Sequence, residues 1–277
     1  MPRRLRALAA AAHGGPTFVV TLVTLALGLA SGLELGRAAL VAGMILLQQL
    51  SIGWSNDVLD AARDTADDRA DKPIARGDLD ARLVLGLAVG AALAAIALSL
   101  LLGPGAAIAH AVFLLAGWAY NAGLKRGALA TACYAVGFGA LPLIVTLAAP
   151  EPRGAQWWAI AMGALLGVAA HFANVLPDLE DDARHGIRAI PHRVGARASG
   201  LVALASLTLA AALGVIGPGV LSPLSVVGAA AGLALLVLGA MVVARAPRSR
   251  SLFRIIMGAA LAAVVSLAGA GALIALP

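Results

Sequence analysis

Asn56, Asp60 and Asp64 stand four residues apart, and Asn174, Asp178 and Asp182 repeat that spacing far downstream. On a helix, positions i, i+4 and i+8 share one face. Each set therefore lines up an amide and two carboxylates, and Asp57 adjoins the first. Like charges four residues apart destabilise a helix, so two such faces call for a counterion. Hard oxygen donors in this number suit Mg²⁺, which keeps several waters and is held by one or two carboxylates together with phosphate groups. Two acidic faces meeting across a cavity read as a seat for Mg²⁺ on a diphosphate. The other reading, a solvated acidic loop balanced by arginines, suits Asp67, Asp68, Asp71, Asp78, Asp80 and Asp181 better than the repeated sets.

Bases follow each set. Lys72 and Arg76 lie in Asp71-Lys-Pro-Ile-Ala-Arg-Gly77, Arg188 and Arg193 in Gly186-Ile-Arg-Ala-Ile-Pro-His-Arg-Val-Gly195, and Lys125 and Arg126 after Tyr120-Asn121. Arginine grips phosphate oxygens bidentately and lysine binds them as a point charge. Each base also fits membrane topology and contact with lipid headgroups; together they favour anion binding. His171 precedes Asn174 by three residues and shares its face, which makes it a candidate substrate contact. The alternative for His171, and for His110, is a neutral imidazole bonded to a neighbouring helix. Gln48 and Gln49 read as acceptor contacts or as interhelical glue. Trp54 reads as a pocket wall or an interface anchor, and Cys133, the single cysteine, as a packing residue that excludes an internal disulfide.

The elements that position these residues are read from composition. Of 277 residues 61% are hydrophobic and 12% charged, with a mean hydropathy of +0.94. A soluble domain carries about twice that charge, and a disordered chain far less apolar surface. The expectation is an all-α polytopic membrane protein. About 20 apolar residues cross a bilayer. Nine spans are expected near 16–34, 38–58, 82–102, 105–120, 127–148, 155–177, 196–215, 221–244 and 252–275, separated by Gly and Pro breakers. The first is read as a retained helix and not a signal peptide, because it is long and eight more follow. With nine spans, 18 of the 20 bases fall on one side, leaving Arg37 and Arg153 on the other. The positive-inside rule then places the N-terminus in the cytoplasm and the C-terminus outside. The same bases account for the net charge of +6 without a nucleic-acid partner. Twelve of the 14 acids lie on that cytoplasmic side too, after spans two and six, where topology does not require them.

At these residues the sequence resembles the UbiA superfamily of intramembrane prenyltransferases. The family pattern is NDxxDxxxD at one helix end and DxxxD at a later one. Asn56, Asp57, Asp60 and Asp64 match the first, and Asp178 and Asp182, with Asn174 before them, the second. The departures are Val175 after Asn174, so that the later set lacks the doubled Asn-Asp of the first, Pro177 inside the later set, and Lys125 five positions after Tyr120. The resemblance covers nearly the whole chain. It implies a single membrane domain over 1–277, nine helices around a central cavity, and motif loops 56–80 and 174–195 on the cytoplasmic side. It implies Mg²⁺ held by Asn56, Asp57, Asp60, Asp64, Asn174, Asp178 and Asp182. Asp60, Asp64, Asp178 and Asp182 would be catalytic. Lys72, Arg76, Tyr120, Lys125, Arg126, Arg188 and His171 would contact substrate.

The activity so implied moves an isoprenyl group from a prenyl diphosphate to a lipophilic, often aromatic, acceptor through an allylic cation in a bacterial plasma membrane. A terpene cyclase of the same family is the near alternative. A transporter is the distant one, disfavoured because transporter sites lie near the bilayer midplane in broken helices and these acids sit at helix ends.

Overall fold

The computed structural model describes residues 3–267 and 274–277. Among the described residues eleven α-helices follow one another: α1 (Arg3–Ala11), α2 (Gly14–Ala30), α3 (Leu35–Ala66), α4 (Ala81–Leu100), α5 (Pro104–Ala122), α6 (Leu129–Leu147), α7 (Trp157–Val175), α8 (Leu179–Arg184), α9 (Ile190–Ile216), α10 (Pro223–Arg245) and α11 (Arg250–Leu267). Among the described residues eight helical stretches are long and apolar enough to cross a membrane, and α1 with α2, bent by 66°, makes a ninth. This is the expected all-α bundle. The far end of the last expected span, 268–273, lies outside the described residues.

Local chemistry sets several helix starts. Asp80 accepts a hydrogen bond from the Leu83 amide at 2.9 Å, capping α4. Ser222 and Ser225 form a reciprocal capping box around Pro223 at the start of α10. Pro104, whose missing N–H costs nothing in a first turn, opens α5 after Gly103 turns the chain at φ 108°.

Sequential helices pack side by side (α2 on α3, α3 on α4, α5 on α6, α6 on α7, α10 on α11), and α11 returns to α2 and α7 to close the arrangement. One apolar core joins α2, α3, α5, α6 and α7 around Met44, Ile45 and Ile144. A second joins α7, α9, α10 and α11 around Leu207, Leu252 and Ile256. α4 and α10 are the least buried spans. Leu83, Leu93, Leu100, Leu233 and Val237 on them are exposed, as a lipid-facing surface requires.

Three features correct the expected layout. First, α3 does not end near 58 but runs to Ala66, so the whole acidic register from Asn56 to Asp64 is helical and the loop begins at 67. Arg63 pairs with Asp60 one turn earlier and lies 3.7 Å from Asp64, which offsets the like-charge repulsion that would end the helix. Second, Pro177 breaks the later set. α7 stops at Val175, one 3₁₀ turn covers Leu176–Asp178, and α8 resumes at Leu179. Asn174, Asp178 and Asp182 therefore do not ride on one continuous helix face. Third, the basic N-terminal stretch is itself a helix. α1 is strongly one-sided, and His13, in the left-handed region at φ 51°, turns the chain from it into α2.

Candidate active site

A cavity of about 500 Å³ opens where α3, α5 and the α7–α8 break meet. On the α3 wall, Asn56 donates to Asp60 at 3.2 Å and to the side-chain Oδ1 of Asn121 at 3.3 Å. Asn121 in turn donates to the Ile52 carbonyl and the Ser55 hydroxyl, both at 2.8 Å. This α5 amide thereby fixes the register of α3 against α5 at the level of the motif. Lys125, buried in the 3₁₀ turn after α5, donates to Asp60. Across the cavity, Asp182 accepts from His192 at 3.2 Å if that ring carries its proton on Nε2. Arg63 spans the gap, 3.1 Å from Asp60 and 3.7 Å from Asp182. The two acidic sets thus face one another, held apart by one guanidinium.

Asp57 has a different neighbourhood. It is buried, with its Oδ1 at 2.6 Å from Lys72 and 3.3 Å from His13. Nearby, Arg69 grips Asp71 through two hydrogen bonds of 2.9 Å. Hydrogen bonding from that guanidinium holds the Asp71 carboxyl down at about 2.

Of the residues expected at the site, Asn56, Asp60, Asp64, Lys72, Tyr120, Lys125, Asn174, Asp178 and Asp182 line the cavity. Asp57 lies behind the wall. His171 also lies behind it, fully buried, with ring centroids of Tyr134 and Tyr120 4.9 and 5.9 Å away and Thr131 on its Nδ1. Arg76 pairs instead with Asp78 and the Ala70 carbonyl. Arg126 and Arg188 are exposed, and they meet through backbone, where the Arg188 amide donates to the Arg126 carbonyl at 3.0 Å. His13, Arg63, Arg69, Asn121, His192, Arg250 and Arg254 also line the cavity. Arg63 and Asn121 were within reach of the sequence, since one is three residues from Asp60 and the other adjoins Tyr120. His13 carries no local signal, because only the α1–α2 bend brings it to α3.

The residues fit a divalent cation. The Oδ2 atoms of Asp57 and Asp64 are buried without a hydrogen-bond partner, and a buried unpaired carboxylate oxygen is costly. Among the described residues no three acidic, histidine or cysteine side chains converge into a finished cage. Mg²⁺ needs none, because waters and phosphate oxygens complete its six positions. Lys72, Lys125, Arg63 and Arg69 line the same cavity, each paired with an aspartate. Beyond the polar wall the cavity shares Val20, Phe138, Ala170 and Met257 with an apolar annex between α2, α6, α7 and α11. The arrangement accommodates a molecule with a polyanionic head and an apolar tail.

Known proteins place this architecture. The structure is similar to that of a UbiA homologue from Aeropyrum pernix K1, with a TM-score of 0.75, 20% identity, and 92% of this chain and 96% of that chain covered. It is similar to a UbiA homologue from Archaeoglobus fulgidus bound to DMAPP and Mg²⁺, with a TM-score of 0.68, 13% identity and 98% of each chain covered. A structural study of digeranylgeranylglyceryl phosphate synthase in membranes provides a third match, with a TM-score of 0.70, 16% identity, and 96% and 99% covered. No curated protein matches the chain significantly by sequence. The model of the UbiA prenyltransferase family matches residues 7–262, from α1 into α11 and through both acidic sets, and the chain belongs to that family.

Proposed function

We propose that the protein is a Mg²⁺-dependent intramembrane prenyltransferase that moves an isoprenyl group from a prenyl diphosphate to an aromatic or other lipophilic acceptor. The observation that carries this reading is the opposition of two acidic sets across one cavity whose inner end is apolar. A UbiA homologue of the same fold binds DMAPP and Mg²⁺, which supports the donor class and the metal. The catalytic domain in this reading is the whole bundle, 1–277, with the cavity mouth on the cytoplasmic side.

Asp60, Asp64, Asp178 and Asp182, with Asn56 and Asn174, would hold Mg²⁺; Asp57, set back from the wall, would join them by exchanging its Lys72 partner. When bound, the metal neutralises charge building on the departing diphosphate. Lys72, Lys125, Arg63 and Arg69 hold the diphosphate oxygens and orient its bond to the prenyl carbon. The annex takes the tail and keeps water from an allylic cation.

The test is direct. Purified protein with Mg²⁺ is incubated with labelled C10 to C20 prenyl diphosphates, with and without aromatic acceptors. The expected product is the prenylated acceptor, and Asp60→Ala or Asp178→Ala is expected to abolish turnover while the protein stays folded in the membrane. Full activity in both variants sinks the site assignment. Diphosphate release without acceptor, yielding a cyclic hydrocarbon, replaces the transferase with a cyclase.

A further inference from the structure

One side chain touches both acidic sets. Arg63, in the last turn of α3, turns back along the helix and sets each guanidinium nitrogen beside a different carboxylate. Nη2 stands 3.1 Å from Asp60 Oδ2, Nε 3.7 Å from Asp64 Oδ1, and Nη1 3.7 Å from Asp182 Oδ1 on α8. Helical spacing accounts for the contact with Asp60, three residues earlier. The contact with Asp182 joins two elements far apart in the chain.

This is a loose hold. A guanidinium grips one carboxylate best through two parallel hydrogen bonds. Arg69, on the same cavity, does so with two hydrogen bonds of 2.9 Å to Asp71. Arg63 instead spreads its charge over three carboxylates, and two of the three separations exceed hydrogen-bond length. Its side chain is 26% exposed, and ion pairs that open to water contribute little each. Arg63 therefore offsets the charge of both sets without being locked to either.

The oxygens it faces are those a metal needs. Asp60 offers its other oxygen, Oδ1, to Lys125, and Asp182 Oδ2 lies 3.2 Å from His192. A cation seated between the sets must share the oxygens that face Arg63, and so meets the positive guanidinium. Arginine cannot relieve that conflict by losing its proton, since it stays charged in proteins. It can only move, and leaving three carboxylates requires another anion to receive it. A diphosphate is such an anion. It offers paired oxygens that suit the guanidinium fork better than three scattered carboxylates do.

On the prenyl-transfer reading above, we propose that Arg63 is a displaceable counter-ion that makes metal entry depend on the diphosphate. With Arg63 between the sets, Mg²⁺ alone is opposed by its charge. When a prenyl diphosphate enters, Arg63 turns to the phosphate oxygens and leaves Asp60, Asp64 and Asp182 free to hold the metal. No covalent bond changes in this exchange. When the diphosphate departs after transfer, Arg63 returns to the carboxylates and opposes retention of the metal. Direct attraction between metal and phosphate also couples the two ligands; Arg63 adds a second contribution, which a substitution removes by itself. By linkage, each ligand then strengthens the other by the same factor.

The test measures metal binding to the purified protein in detergent, with Mn²⁺ as the probe and its paramagnetic resonance as the readout. Mn²⁺ is titrated alone and again with the unreactive thiolo analogue of geranyl diphosphate at saturation, corrected for the complex that metal and analogue form without protein. Arg63→Gln is expected to bind Mn²⁺ alone about tenfold tighter than wild type, the scale of a few partly exposed ion pairs. The factor by which the analogue tightens Mn²⁺ binding is expected to fall by about as much. Arg63→Lys keeps the charge but lacks the fork that reaches three carboxylates, and it is expected to shift both values in the same direction. A merely structural role would not improve metal binding. Unchanged or weaker Mn²⁺ binding by Arg63→Gln overturns the counter-ion. Tightening in Arg63→Gln while Arg63→Lys matches wild type also overturns it, because net charge then explains the effect. Either result leaves prenyl transfer standing where the wild-type preparation still prenylates an acceptor with Mg²⁺. No Mn²⁺ binding by wild type even with the analogue overturns the metal-dependent reading, and the counter-ion with it.

Discussion

At the residue scale the site is a set of charges that neutralise one another. Asp57 shows the consequence most sharply. It is 2% exposed, and its stabilising partners are Lys72 and His13. Removing one member of a buried pair strands the other, at a cost of about 3–5 kcal/mol. Lys72→Met is therefore expected to lower stability by an amount of that order, read as thermal unfolding in detergent. Lys72→Met combined with Asp57→Asn should recover much of the loss, because no charge is left unpaired. A double variant as unstable as the sum of the two singles would show that the pair is not coupled. This scale was only partly legible in the sequence. Spacing singled out the acids, since four-residue intervals mean one helical face wherever the helix sits. It could not distinguish Asp57 from its neighbours, because the distinction is made by His13 and Lys72, which arrive from other parts of the chain. Nor could it separate Lys72, on the cavity wall, from Arg76, four residues later and paired with Asp78.

At the element scale long apolar runs made the spans legible, and Pro177 announced the break that divides the second set. The extension of α3 to Ala66 was not readable from hydropathy. Its last turns are polar, and they persist because Lys125 from another element and Arg63 within the helix offset their charge. Helix packing follows a similar logic, in which glycines mean different things in different places. Gly90 on α4 has no atom within 4 Å of where a Cβ would stand, whereas Gly167 has the Tyr134 carbonyl oxygen at 2.4 Å. Gly90→Ala should raise stability by up to about 1 kcal/mol through helix propensity. Gly167→Ala should cost about 1–3 kcal/mol, since backbone cannot yield as a flexible side chain can. Equal unfolding temperatures for the two variants would rule out close α6–α7 contact as the reason for Gly167.

At the scale of the whole molecule, the scarcity of charge and its one-sidedness carry separate consequences. Scarcity puts the bundle in a membrane, and one-sidedness sets which way it faces. The break before α8 and the loop after α3 fall on the side that holds 18 of the 20 bases, so the acidic sets share the compartment of the orienting residues. Glu151, between α6 and α7, falls on the opposite side with Arg153. Both Glu151 and Ala183 are exposed, which makes them suitable reporters. In a Cys133→Ser background, Glu151→Cys is expected to react with a membrane-impermeant maleimide on intact cells, and Ala183→Cys only after the membrane is opened or in inverted vesicles. The reverse pattern would invert the orientation and place the cavity mouth outside. Reaction of both from one side would require an even number of crossings between them. The bend at His13 extends the argument to the N-terminus. Arg4 and Arg6 lie on α1, which turns 66° from α2, a geometry suited to lying along a membrane surface with its bases toward anionic headgroups. α1 is tied there to the motif-bearing helix: Trp54 donates to the Leu8 carbonyl at 3.0 Å, and Gly53 packs against the Ala12 backbone. Orientation and site assembly are thus linked, and Gly53→Leu should disturb both. It should loosen α1, seen as faster proteolysis at the N-terminus, and weaken turnover by releasing His13 from Asp57. Unchanged proteolysis with unchanged turnover would show that α1 takes no part in holding the site.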